Sequence, residues 1–272
     1  MSETTLAAAM KQLGYATGAI GKWRMGMENG HHPLDRGFDF FLGMPSGSGF
    51  VDSAWPNVHI APGYRGAGNP AGGGLFRGRE PVPFDEYLTD RLGREGVGFI
   101  ERHKDEPFFL YLAFHAPHSP IETTDKYYQR FPQFKNETLR IYAAMISAVD
   151  DWVGAVLAKL RENGLEEKTL VIFASDNGVT KGSDVDGARN KPLIGHKRNL
   201  YEGGIRVPYM MQWKDRLDGG RKYERPVSSL DIFPTALAAA GVKDLSQYRL
   251  DGVNLLPYLE GKKHAAPRDY LF

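Results

Sequence analysis

Hydrophobic positions along the chain follow two periods, one typical of helices and one typical of buried strands. From Leu139 to Leu160 an apolar residue returns at steps of three and four, which predicts an amphipathic helix over residues 137–163. Gly164 follows, and glycine suits the position where a helix ends. Continuous apolar runs, long enough for buried strands, occupy the segments 108–114, 169–174 and 207–213.

Weaker patterns add further elements between these runs. They predict helices at 4–13, 85–103 and 229–240 and a short strand at 15–20. Helices and strands therefore alternate along the chain, which predicts an α/β layered sandwich with a mainly parallel central sheet. The Gly- and Pro-rich stretch Met44–Arg79 is too long for a simple connection, and we expect it to form a rim or lid.

The composition is that of an ordinary globular protein, and it narrows the possible partners. Of 272 residues, 42% are hydrophobic and 25% are charged, and 34 Lys+Arg against 33 Asp+Glu leave a net charge of +1. This balance predicts no nucleic-acid partner, and any anion site must be local. The sequence has no cysteine, which excludes a disulfide, a thiolate metal site and a cysteine nucleophile within it. A run of about 20 apolar residues is absent, so no membrane span is predicted.

Polar side chains follow several predicted strands at the point where each strand ends. In an open α/β sheet, ligands bind beyond the carboxyl ends of the strands, so these side chains are expected to meet at one edge. Two lysines, two imidazoles and an Asp-Asn pair together suit a tetrahedral oxyanion and a hard metal ion. The candidates are Lys22, His115, His118, Asp176, Asn177 and Lys197.

Each candidate also has an ordinary structural interpretation. A lysine just after a strand is commonly a solvated loop charge, and Asp176-Asn177-Gly178 is a sequence that suits a turn. His115 and His118 can equally hydrogen-bond within their own loop. The functional interpretation therefore depends on all these residues lying at the same edge of the sheet.

Short motifs lie along the chain at Gly21–Gly26 (GKWRMG), His32–Asp39 (HPLDRGFD), Phe108–His118 (FFLYLAFHAPH), Ser175–Gly178 (SDNG), Lys197–Pro208 and Ser229–Thr235 (SLDIFPT). In this order they resemble the motifs of the type I sulfatases. The resemblance covers nearly the whole chain, and the order is more specific than any single motif.

The resemblance implies an alkaline-phosphatase-like α/β fold and the hydrolysis of sulfate esters. By position, Asp176 and Asn177 match calcium ligands, and Ca²⁺ prefers hard oxygen donors of this kind. Lys22 and Lys197 match the lysines that hold the sulfate oxygens and take part in catalysis. His118 matches the histidine that assists the leaving group.

Two further contacts to sulfate follow from the resemblance. Arg24 stands where the family usually has histidine, and its guanidinium can bind sulfate but cannot exchange a proton near neutral pH. A polar residue that touches sulfate in the family matches the stretch that contains Ser46 and Ser48.

The sequence departs from the family pattern at the nucleophile and at half of the metal site. The family's nucleophile is a formylglycine made inside a Cys/Ser-x-Pro-x-Arg motif, and this chain contains no such motif. The Asp-Asp pair of the family's first strand is also missing, since Asp150-Asp151 falls inside the long predicted helix. We therefore expect residues 1–272 to be a segment of a sulfatase catalytic domain, truncated at both ends. It would lack the first strand, the C-terminal subdomain and part of the calcium site, and would be inactive by itself.

Three interpretations of the function stay open at this stage. The first is a sulfatase acting on a sulfated glycan or an aryl sulfate, which Asn177 favours because related phosphatases carry a zinc-binding histidine there. The second is a phosphate or phosphonate ester hydrolase of the same superfamily. The third is a non-catalytic chain that binds sulfated glycans through Lys22, Arg24 and Lys197. The resemblance also implies a periplasmic, secreted or lysosomal location, and no signal peptide is visible in this chain.

Overall fold

A computed structural model describes residues 3–26, 28–44, 58–62, 74–83, 86–180 and 190–271. Ser46, Ser48 and most of the expected rim lie outside the described residues. The strands are β1 Ala16–Lys22, β2 Phe40–Met44, β3 Val58–Ile60, β4 Leu75–Arg77, β5 Glu80–Val82, β6 Phe108–Ala113, β7 Glu122–Thr124, β8 Val171–Ala174 and β9 Tyr209–Gln212. The α-helices are α1 Leu6–Gln12, α2 Leu88–Arg102, α3 Asp125–Tyr128, α4 Glu137–Glu162, α5 Glu202–Ile205, α6 Ile232–Ala239 and α7 Leu256–Leu259.

Within the described residues, the main sheet has five strands in the order β5-β4-β2-β1-β6. β1 pairs in parallel with both β2 and β6, and Ile20 lies opposite Leu42 on one side and Leu112 on the other. β4 pairs antiparallel with β2 and with β5. The predicted α/β class is confirmed, and the sheet is mixed, with its parallel part at β2, β1 and β6.

Helices cover both faces of this sheet. Consecutive residues of a strand point to opposite faces, and β2 shows this with two buried neighbours. Leu42 packs with Leu92 of α2, whereas Phe41 packs with Ala7 of α1. The layered sandwich follows from this alternation of apolar side chains along β2.

The described residues also form two short antiparallel ladders that are separate from the main sheet. β8 pairs with β9, with Ala174 opposite Tyr209, whereas the sequence pattern predicts both strands in one central sheet. β3 pairs with β7, with His59 opposite Thr123. Among the described residues β6 pairs along one edge only, with β1, and β8 pairs along one edge only, with β9. The expectation that this sequence lacks a central strand of the sheet stays a prediction.

The long helix α4 is apolar enough, by length and composition, to cross a membrane. It also makes the contacts of a core helix: the indole Nε1 of Trp152 donates to Asp90 of α2 at 2.6 Å, and Asp151 pairs with Arg130 at 2.7 Å. Ile141 and Met145 on the same helix are buried. The expectation of no membrane span stays a prediction.

Candidate functional site

The ends of two strands from different ladders meet at the candidate site. Lys22 is the last residue of β1, and Asp176 follows the end of β8 by two residues. The Lys22 Nζ lies 3.8 Å from Asp176 Oδ2, with the lysine side chain 12% exposed and the aspartate side chain 70% exposed. A nearly buried ammonium therefore faces a solvated carboxylate at the carboxyl ends of the two strands.

Arg24 lies two residues after β1 in an unusual backbone conformation. Its φ is 64°, in the left-handed region that non-glycine residues adopt at a cost of about 1 kcal/mol or more. Its positive charge lowers the pKa of Lys22 and of His118, so the guanidinium lies near both. Backbone strain at such a place is typical of a functional segment.

Close backbone contacts between glycines join the loop after β8 to the short helix α5, which precedes β9. A Cβ at Gly178 would lie 1.9 Å from the carbonyl oxygen of Gly203, so only glycine fits there without a shift of the backbone. The Gly178 N–H donates to the Gly204 carbonyl at 3.0 Å. The Asp-Asn-Gly and Glu-Gly-Gly motifs are therefore two sides of one packed contact.

Lys197 is held beside the same loop by its backbone. Its N–H donates to the carbonyl of Val179 at 2.9 Å, and the N–H of Val179 donates to Asn190 Oδ1 at 3.1 Å. The next residue, Arg198, has a φ of 75°. Lys197 lowers the pKa of Lys22, so the two ammonium groups lie close enough to repel each other.

The His-Ala-Pro-His loop after β6 supplies two imidazoles that share one acceptor. His115 Nε2 lies 2.9 Å, and His118 Nδ1 2.7 Å, from the carbonyl oxygen of Ser119. The two ring centroids are 5.0 Å apart. The structure thus gives His118, the predicted acid, a fixed partner on Nδ1.

Burial and neighbouring cations shift the pKa values in the site. Burial is the largest cause that lowers the pKa of Lys22; Asp176 opposes it, and Arg24 and Lys197 add to it. Burial also lowers the pKa of His118, which Lys22, Lys197 and Arg24 lower further against the hydrogen bond to Ser119. The site without ligand is therefore unfavourable for its own positive charges, and an anion would relieve this repulsion.

The sequence-predicted side chains thus lie in one region, and their roles stay predictions. Arg24 and Lys197 lower the pKa of Lys22, and these three cations lower the pKa of His118. Asp176 faces Lys22 at 3.8 Å, and Asn177 is the next residue. Sequence reasoning did not single out Tyr111 of β6, whose pKa is raised by burial and by Asp176. It lies inside an apolar run, which indicates a core residue and gives no sign of a site.

Asp176 and Asn177 bring two oxygen donors to the edge of the site. Asn177 Nδ2 donates to Asp176 Oδ1, so the amide oxygen of Asn177 does not take part in that bond. The described residues include no group of three or more His, Cys, Asp or Glu arranged to hold a metal ion. The donor type therefore suits a hard cation, while two side chains fall short of the six to eight oxygens that Ca²⁺ takes.

Comparison with known proteins gives one consistent result. A protein-family model described as Sulfatase matches residues 1–242. The chain is 33% identical over 301 residues to "Uncharacterized sulfatase YdeN" of Escherichia coli (strain K12), across 100% of this chain and 49% of that protein. It is 32% identical over 281 residues to the N-acetylgalactosamine-6-sulfatase of Mus musculus, across 99% of this chain and 51% of that protein. The chain thus spans about half the length of the curated relatives it matches.

Solved structures give the same picture. The crystal structure of Ps i-CgsB in complex with k-i-k-neocarrahexaose superposes with a TM-score of 0.84 at 35% identity, over 97% of this chain and 58% of that one. A phosphonate monoester hydrolase from Silicibacter pomeroyi superposes with a TM-score of 0.64 at 18% identity, over 98% and 62%. The latter likeness concerns the fold alone.

Proposed function

The chain belongs to the sulfatase family, and from this premise we propose that it is the sulfate-binding part of a domain that hydrolyses sulfate esters. The observation that carries the proposal is the gathering of Lys22, Arg24 and Lys197 around His118 in a chain whose net charge is only +1. Arg24 and Lys197 add positive charge beside a lysine that already faces the Asp176 carboxylate at 3.8 Å. Such a concentration of positive charge around one imidazole attracts an oxyanion.

The proposed reaction assigns different tasks to the cations and to the imidazole. Lys22, Arg24 and Lys197 hold the sulfate oxygens through charge-assisted hydrogen bonds. As the bond between sulfur and the leaving oxygen breaks, that oxygen gains negative charge and requires a proton. His118 supplies the proton from Nε2, because its Nδ1 already contacts the Ser119 carbonyl.

Substrate binding favours the uptake of a proton from solvent by His118. Burial and the neighbouring cations lower its pKa in the unliganded site, so the imidazole is neutral near pH 7. A sulfate ester brings a negative charge next to the ring and raises its pKa again. The acid is therefore formed chiefly in the complex, where it is needed.

Asp176 and Asn177 would hold Ca²⁺ in the whole protein. Their carboxylate and amide oxygens fit a hard cation, and the family resemblance implies further ligands from a segment that this sequence lacks. When bound, Ca²⁺ would add positive charge beside the sulfate oxygens. The nucleophile implied by the resemblance is likewise absent from this sequence, so this chain alone is proposed to bind sulfate without turning it over.

The proposed substrate class is a sulfated glycan, and the proposed location is periplasmic, secreted or lysosomal. The glycan is supported by the neocarrahexaose in the complex of Ps i-CgsB and by the name of the mouse N-acetylgalactosamine-6-sulfatase. The location rests on the family resemblance.

Titration of the full chain with inorganic sulfate by calorimetry tests the proposal. Lys197→Ala is expected to weaken binding by about 10-fold or more, since a hydrogen bond to a charged group contributes about 1.5–3 kcal/mol. Lys222→Ala is the matched control, because Lys222 is exposed and pairs with Glu224 on the surface. Absence of sulfate binding, or equal weakening by both variants, would refute the assigned site.

Three further measurements separate the competing functions. Tighter binding of inorganic phosphate than of sulfate, with zinc in place of calcium, would favour a phosphate or phosphonate ester hydrolase. Turnover of p-nitrophenyl sulfate by this chain, lost in Lys197→Ala, would contradict its proposed inactivity. Salt-sensitive binding to a sulfated polysaccharide by the whole protein, with no turnover, would favour a binding protein.

A further inference from the structure

Two histidines of the His-Ala-Pro-His loop are tied to a single carbonyl group. His115 Nε2 and His118 Nδ1 lie 2.9 Å and 2.7 Å from the oxygen of Ser119. A carbonyl oxygen only accepts hydrogen bonds, so each of these ring nitrogens must carry a hydrogen. One acceptor thus defines the tautomer of both neutral rings.

The Ser119 hydroxyl does not change this assignment. Its Oγ lies 3.3 Å from His118 Nδ1, clearly farther than the carbonyl at 2.7 Å. If the hydroxyl donated to a lone pair on Nδ1, that lone pair would also face the carbonyl oxygen at the shorter distance. The contact would then be repulsive, so Nδ1 carries the hydrogen and Nε2 carries the lone pair.

A histidine at the buried position 115 lowers the stability of the fold. It is only 7% exposed, and its Nδ1 finds no hydrogen-bond partner among the described residues. A buried acceptor without a partner costs about 1–3 kcal/mol, which an apolar side chain of similar size would avoid. What an apolar side chain would not provide is the N–H that reaches the Ser119 carbonyl.

We propose that His115 is a positioning residue: through the shared Ser119 carbonyl and its packing against the neighbouring ring, it holds His118 as the Nδ1–H tautomer. His118 Nε2 is then kept as the nitrogen that accepts, and later releases, a proton. The importance of this for sulfate ester cleavage rests on the proposed function, whereas the tautomer itself does not.

The experiment is nuclear magnetic resonance of the full chain with ¹⁵N-labelled histidine, by two-bond correlation of ring protons and nitrogens near pH 7.5. His118 is expected to show a protonated Nδ1 and an unprotonated Nε2, and His115 the reverse. His118→Ala identifies the signals. A protonated Nε2 on His118, or a protonated Nδ1 on His115, overturns the proposal without any variant at His115.

Variants of His115 then test its influence on its neighbour. In His115→Phe the two nitrogen signals of His118 are expected to lose their separation, as the ring exchanges with the Nε2–H form. His115→Gln returns an N–H donor and should restore the separation, and Ser119→Ala, which removes only the hydroxyl, should keep it. An unchanged His118 in His115→Phe refutes the positioning role. If the tautomers are as expected while inorganic sulfate does not bind, the proposed function fails and this inference stands.

Discussion

Acid should destabilise this protein partly through His115, and the size of the effect can be worked out in advance. Burial lowers the pKa of His115 from 6.5 to about 4. Between these two pH values His115 is protonated in the unfolded chain and neutral in the folded chain. The free energy of unfolding therefore falls as the pH drops from 6.5 to 4, and the full loss is present below 4.

The expected loss is large compared with the stability of an ordinary domain. A shift from 6.5 to about 4 corresponds to about 3 kcal/mol at about 1.4 kcal/mol per pH unit. At pH 5 about 2 kcal/mol of this is already lost, because the unfolded histidine is nearly all protonated there and the folded one is mostly neutral. A typical domain has only about 5–15 kcal/mol in total.

Urea unfolding at pH 7.5 and pH 5, followed by fluorescence, measures this loss in the wild type and in His115→Phe. His118 and His32 also have lowered pKa values, so both proteins should lose stability in acid. The wild type should lose about 2 kcal/mol more than the variant, with the slopes against urea unchanged. Equal losses would show that the His115 environment is open to protonation, and the reasoning from burial would be wrong.

Four further outcomes are expected. Lys22→Met should leave the free energy of unfolding unchanged or about 1 kcal/mol higher, since it removes a buried charge, while sulfate affinity falls by about 10- to 100-fold; lower stability with unchanged affinity would contradict this. Sulfate affinity of the wild type should rise as the pH falls from 8 to 6, because binding takes up a proton on His118, and calorimetry of His118→Ala should show a flatter profile. In the whole protein, where further ligands would complete the site, millimolar Ca²⁺ should raise the melting temperature in scanning fluorimetry, and the rise should disappear in Asp176→Asn; a rise that persists would move the ion elsewhere. Gly178→Ala should lower the free energy of unfolding, measured with denaturant, by more than about 2 kcal/mol, because its Cβ would lie 1.9 Å from a backbone carbonyl oxygen. The control is Gly154→Ala, in open space on α4, which should raise the free energy of unfolding by up to about 1 kcal/mol.

Long periodic segments could be predicted well from the sequence. The expected helix at 137–163 is α4 Glu137–Glu162, and the run at 108–114 is β6 Phe108–Ala113. Both have a strong physical signal, either an apolar stripe of helical period or an unbroken apolar run. The N-terminal helix is shorter than expected, because Thr5 caps it and its Oγ1 accepts from the Ala8 N–H at 3.1 Å.

Short strands could not be predicted from the sequence, because pairing with other strands, and not a pattern of their own, determines them. β4 and β5 have three residues each, too few to show an alternation, and their order is set by pairing with β2 and with each other. The antiparallel pairing of β8 with β9 is likewise invisible in either strand alone. The antiparallel pairings could therefore be recognised only in the structure.

The candidate site could be predicted by residue type but not by the way it is assembled. Lys197 lies 20 positions after Asn177 in the sequence, and nothing in either segment specifies that the two segments meet. The link is made by the backbone, through the Lys197 N–H to the Val179 carbonyl at 2.9 Å and the fit of Gly178 against Gly203. Because the backbone of Lys197 and not its side chain holds the loop, Lys197→Ala should remove a positive charge and leave the loop in place. A loss of sulfate binding in that variant therefore measures the charge, while the same loss in Gly178→Ala measures the scaffold, and the two variants together separate chemistry from folding at this site.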